Sequence, residues 1–176
     1  MQTRTEEGGA HSDGSIGTGL VIERRFTTLG EDPFDQFEWI EMDVEIRNAD
    51  GSLAHRIDDV RLPSGYSGVP GKVLAQKYLR KAGVPAILRK VAEKGVPEWL
   101  QRSEPDHEKL QTLEPNQRYV GESHGRELFR RLAGTWTYWG WKHGYFEAEA
   151  DARAYFDEMC FLIASQRSAP NSPQWF

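Results

Sequence analysis

Twice in the last third of the chain, apolar residues return at the spacing of one helix face, and a short glycine-bearing link separates the two runs. In the first run Leu128, Leu132, Trp136 and Trp139 recur at helical intervals, and Phe129 and Trp141 widen the face. This predicts a helix over residues 122–143. In the second, Phe156, Cys160 and Ile163 align with Tyr155, Met159 and Leu162, while Glu147, Glu149 and Asp151 stand in the first turn, where acids suit the helix dipole. That predicts a helix over residues 147–166. The link, "HGYF", supplies a Gly turn. Two amphipathic helices so closely joined pack antiparallel, and the rest of the chain must be arranged around them.

Upstream the period is different. Over residues 37–47 Ile40, Met42, Val44 and Ile46 point one way and Trp39, Glu41, Asp43, Glu45 and Arg47 the other, the pattern of a half-buried strand. "NADG", residues 48–51, tolerates positive φ, and a second extended run over 53–62 completes a β-hairpin. Past a turn-rich bridge over 63–71, Val73, Leu74, Lys77 and Tyr78 begin a helical stripe. "AILRKVAEK" and "PEWLQR" read as two further short helices opened by Pro85 and Pro97. The polar stretch 103–120, with Pro105 and Pro115, reads as a long loop or insertion. Residues 1–19 have too little apolar surface to repay ordering and read as a disordered tail, with one domain over 20–176. The expected class is α+β, mostly α: an N-terminal hairpin followed by a helical layer.

Charge and cysteine content narrow the function. A formal net charge of -5 provides no field for a phosphate backbone, so a nucleic acid polymer is not an expected partner. The basic clusters "LRKAG", "LRK" and "RELFRR" read as solvated helix faces. With a single cysteine there is no intrachain disulfide or multi-thiolate metal site, which fits a reducing, cytoplasmic setting, and no apolar run approaches the length of a membrane span. Cys160 falls in an apolar helix stripe, as a buried filler does. His11, His55, His107, His124 and His143 have no metal-ligand spacing, so no metal site is expected. Glu41, Asp43, Glu45, Asp58 and Asp59 share a strand face and are read as solvated. The aromatic cluster "TWTYWGWKHGYF" is read as core packing rather than a stacking platform for bases.

One short motif stands apart. In "APNSPQWF" Asn171 and Ser172 lie between Pro170 and Pro173, each of which fixes its own φ and restricts its predecessor, so the Ser172 hydroxyl is preorganised. The plain alternative is a Ser-Pro turn. Trp175 and Phe176 follow, two costly side chains to leave in water, and they are expected to need a cover from outside this chain.

Taken together, "ERRFTTLGEDPFDQFEW", "DGSLAHRIDDVRLP", "AQKYLRK", "TWTYWGWKHGYFEAEADARAYFDEM" and "APNSPQWF" resemble, in this order, the N-terminal region of class II, adenosylcobalamin-dependent ribonucleotide reductases. The resemblance implies a helical layer that precedes a ten-stranded α/β barrel absent from this chain. It implies a cobalamin-generated thiyl radical that removes the 3'-hydrogen of a ribonucleotide, and a cysteine pair that reduces the 2' position. The family's catalytic cysteines follow the "NSPQWF" motif, so Cys160 matches none of them and no catalytic residue is expected here. What carries over is Ser172 as a substrate contact, with Asn171 supporting it. Implied partners are the catalytic barrel, the ribonucleotide and a thiol reductant system, with adenosylcobalamin bound mainly outside this chain. Trp175 and Phe176 would then continue into the barrel. A competing reading is a free-standing helical module that docks on a partner through an exposed "PQWF" end.

Overall fold

The computed structural model describes residues 19–175. The tail expected over residues 1–19 lies outside them apart from Gly19, and Phe176 lies outside as well. The helix pair forms as its periodicity predicts: α3 spans Gly125–Lys142 and α4 spans Glu149–Ala164, both a little shorter than the apolar patterns. Each start has a polar cause. His124 Nδ1 accepts the Arg126 N–H at 3.2 Å while Glu127 accepts the N–H groups of Ser123 and His124, and Asp151 reaches back to the Ala148 N–H at 3.0 Å.

The core face of α3 is Leu128, Phe129, Leu132, Ala133, Thr137 and Gly140. Thr137 is tolerated there because its hydroxyl donates to the Ala133 carbonyl at 2.7 Å. Trp139, expected on this face, is 57% exposed, since Thr137 and Gly140 take the central positions and leave the indole on the flank. From α4, Cys160 and Ile163 enter the same core, both fully buried.

The hairpin consists of β1 (Trp39–Arg47) and β2 (Leu53–Pro63), antiparallel and irregular between Met42 and Val44 and between Ile46 and Arg47. Asp59 adopts φ 54°, beside the first irregularity. Val44, Val60 and Leu62 are buried against the helices. The opposite face carries ion pairs: Glu41 with Arg61 at 2.5 Å, Asp43 with Arg56 at 2.7 Å, Glu45 with Arg47 at 2.7 Å, and Asp58 with Arg56. The acids of this face are solvated, as expected.

Helix α1 (Val69–Lys77) begins earlier than its stripe suggested. It crosses the hairpin at Gly71, where a Cβ would stand 2.3 Å from the Tyr66 carbonyl oxygen, so only glycine fits. The Tyr66 hydroxyl in turn donates to the Ile163 carbonyl at 2.8 Å, linking this corner to α4.

The region between α1 and α3 departs most from expectation. "AILRKVAEK" is not helical: β3 (Val84–Pro85) and β4 (Leu88–Lys90) are extended. "PEWLQR" forms a single 3-10 turn, Glu98–Leu100. The polar stretch 103–120 contains β5 (Ser103–Pro105), a one-turn helix α2 (His107–Leu110) and β6 (Tyr119–Val120), with β4 pairing β5 and β3 pairing β6. Pairing across this span outweighs the helical look of the 86–94 segment, because Ala86, Val91 and Asp106 each make backbone hydrogen bonds to the facing segment.

The second large correction concerns Trp175, which is 6% exposed and belongs to the main core cluster. Its cover comes from within the described chain, so neither the need for an outside cover nor the exposed docking end holds for this residue.

Candidate functional site

The turn that carries Asn171 and Ser172 is closed on itself. Pro170 and Pro173 bracket it, and a 3-10 turn runs Ser172–Trp175. The Asn171 N–H donates to Gln174 Oε1 at 3.0 Å, the Gln174 N–H donates to the Asn171 carbonyl at 2.9 Å, and the Trp175 indole N–H donates to the Pro170 carbonyl at 2.8 Å. Three internal bonds and two prolines leave the backbone little freedom, and both Asn171 and Ser172 point into solvent.

Beneath the turn lies Tyr78, just past the end of α1. Its ring stacks on Trp175 with centroids 4.9 Å apart, and its hydroxyl donates to Ser172 Oγ at 3.4 Å. On the other side is Arg131 of α3. Its Nη1 donates to the Trp175 carbonyl at 3.3 Å and its Nη2 to the Tyr78 carbonyl at 3.2 Å. The same guanidinium grips Glu122 in two-pronged fashion, both N···O distances being 3.0 Å. Glu122 is 4% exposed and also accepts the Arg80 N–H at 2.9 Å. A buried carboxylate thus aims an arginine at two carbonyls, one under the turn and one within it.

Sequence reasoning brought Asn171 and Ser172 together but missed Tyr78, Glu122 and Arg131. Tyr78 read as an apolar stripe position, and Arg131 as part of the solvated cluster "RELFRR", although its side chain is only 17% exposed. The sole hint was an arginine one turn from Leu128 and beside Leu132 on an otherwise apolar helix. Arg131 and Glu122 also border an open cleft of about 880 Å³, between α3 and the short strands, whose rim includes Arg80, Lys90 and Arg102.

Cys160 lies where its apolar helix stripe predicts. Cys160 is fully buried, and burial pushes its thiol far above the usual range, with the nearby Arg130 acting weakly in the opposite sense. Among the described residues no group of three or more His, Cys, Asp or Glu is placed to hold a metal ion, and no helix is long and apolar enough to cross a membrane.

Helix pair, two-stranded ribbon and a rigid hydroxyl-bearing turn define a small α+β module with no thiol available at its surface. The model of a family described as class II vitamin B12-dependent ribonucleotide reductase matches residues 41–166. Relatives from Bradyrhizobium diazoefficiens and Agrobacterium fabrum, each named vitamin B12-dependent ribonucleotide reductase, are 52% and 50% identical over 157 residues. A relative of the same name from Streptomyces avermitilis is 29% identical over 170 residues. The chain belongs to the class II, vitamin B12-dependent ribonucleotide reductase family, as an N-terminal part. The first two alignments take in 89% of this chain and 12% of each relative, so it spans about an eighth of their length.

Proposed function

We propose that this chain is the N-terminal segment of an adenosylcobalamin-dependent enzyme that converts ribonucleotides to deoxyribonucleotides in the cytoplasm, and that it supplies a helical scaffold and one substrate contact. The observation that carries the reading is the Ser172 turn, rigid before any ligand arrives and occupying a motif that resembles the family's nucleotide-contacting position. A hydroxyl on such a turn both donates and accepts, and it binds without the ordering cost of a mobile loop. Asn171 supports it by fixing the turn through its backbone bonds to Gln174.

The cofactor that the family requires supplies a carbon-centred radical when bound. The resemblance places that cofactor mainly outside this chain; here the cleft mixes apolar walls such as Leu88, Trp99 and Phe156 with Arg80, Lys90 and Arg102, and Cys160 is sealed in the core. Cobalamin binding, the reducing cysteines and the thiol reductant system are therefore assigned to the remainder of the enzyme, and this chain alone is inactive.

The test is Ser172→Ala in the complete reductase, assayed with ribonucleotide, adenosylcobalamin and a dithiol. Loss of one neutral hydrogen bond raises KM for the ribonucleotide by roughly 3- to 10-fold with a smaller effect on kcat. An unchanged KM would refute the assignment of Ser172.

A further inference from the structure

The hydrogen bonds around Arg131 carry a role that the family resemblance does not mention. A guanidinium has five donors in a rigid plane, and here four hydrogen bonds run from it to a buried carboxylate and two backbone carbonyls from distant parts of the chain. One carbonyl belongs to Tyr78, whose hydroxyl meets Ser172; the other belongs to Trp175, which ends the Ser172 turn. Stacking of Tyr78 on Trp175 closes the loop of contacts. No other described side chain bonds to both segments.

We propose that Arg131 is a positioning residue for substrate binding: aimed by Glu122, it locks Tyr78 to the Ser172 turn so that the Tyr78 and Ser172 hydroxyls form one edge presented to the ribonucleotide. This rests on the reading of Ser172 as a substrate contact. Arg131 itself touches no substrate. Its work is done through the two carbonyls it holds, which keep the hydroxyl pair at a single spacing, and the bidentate grip of Glu122 prevents the guanidinium from rotating away.

The experiment compares Arg131→Met, Arg131→Lys, Ser172→Ala and the double variant Arg131→Met/Ser172→Ala in the complete reductase. Arg131→Met is expected to raise KM for the ribonucleotide by about tenfold while kcat changes by less than about twofold, because charged hydrogen bonds that fix the binding edge are lost. Arg131→Lys keeps the charge but cannot span both carbonyls and the carboxylate, and gives a smaller rise. In the double variant the rise in KM falls short of the product of the two single effects, since Arg131 acts through an edge from which Ser172→Ala has already taken one of the two hydroxyls. A merely structural arginine would lower thermal stability without that non-additivity. Should Arg131→Met fail to fold, Arg131→Lys with Ser172→Ala decides the same point. Multiplying effects, or a wild-type KM in the folded arginine variants while Ser172→Ala raises it, overturns the role of Arg131 and leaves Ser172 intact. A wild-type KM in Ser172→Ala overturns the substrate contact itself, and with it this inference.

Discussion

Replacing Glu158 should loosen the N-terminal end of the described chain. This residue lies on α4, 8% exposed, and its Oε1 accepts the N–H groups of Arg25 at 3.1 Å, Phe26 at 3.1 Å and Thr27 at 2.9 Å, together with the Thr27 hydroxyl at 2.6 Å. Arg24 pairs with Asp157 at 2.7 Å, and Phe26 stacks on Phe161 at 5.2 Å, so the carboxylate is the polar centre of a small docked segment. In Glu158→Ala the Arg25 and Phe26 amides can regain water, whereas both donors of the buried Thr27 are stranded. Two stranded donors at ~1–3 kcal/mol each give a loss of about 3–4 kcal/mol for Glu158→Ala, and about 1–2 kcal/mol for Glu158→Gln, which keeps one acceptor oxygen but no charge. Burial by itself would raise the Glu158 carboxyl, but the Thr27 hydroxyl and the three amides outweigh it and hold it below its ordinary 4.5. A depressed carboxyl stabilises fully above that value, and the contribution disappears as pH falls through the folded-state value. Urea unfolding of the whole chain near neutrality and at acid pH reads the size and the pH dependence, and amide exchange at residues 25–27 locates it. Wild-type stability in Glu158→Ala, or unchanged exchange at those amides, would refute the reasoning.

Two other predictions concern titratable groups. Cys160 should resist thiol reagents in the folded chain and react only as the chain unfolds, and Cys160→Ala in the complete reductase should cost about 1–2 kcal/mol of stability and leave turnover intact; both follow from a fully buried thiol held protonated. His124 is held below its ordinary 6.5, first by burial and then by Arg126, Arg61 and Arg130, and its unprotonated Nδ1 caps α3. Stability should therefore fall as pH drops below that value, and His124→Asn, a good cap that does not titrate, should flatten the profile in thermal melts.

What the sequence disclosed depended on how locally each element is determined. The hairpin and the helix pair are written in their own periods, and β1, β2, α3 and α4 appear where period two and period 3.6 place them. The 86–94 segment was misread because its conformation is decided by partners in 103–120, a stretch with no pattern of its own. Pro85 looked like a helix opener, yet it pairs with Tyr119 in a two-residue ladder. Trp175 gave the most instructive error. In the sequence its apolar ring implies an outside cover, but Tyr78, some hundred residues earlier, supplies one. Family membership does not depend on that argument, and the turn motif that suggested it survives as a rigid element. The polar centres, Glu122 with Arg131 and Glu158 with Thr27, were invisible because nothing in composition separates a solvated acid from one that gathers distant backbone donors.

The ribbon made by β1 and β2 has consequences beyond its packing. A pair of strands has two borders, each able to recruit a further chain, and in this ribbon the β2 border is partly closed where the Arg61 N–H donates to the Ser123 carbonyl at 2.8 Å. Here the outward side chains are cross-linked by opposite charges, and the left-handed residue at Asp59 kinks one border out of line. Such a ribbon makes a poor template for fibrils, so concentrated solutions of the protein should resist sheet-mediated clumping until salt or acid dissolves the ionic rungs.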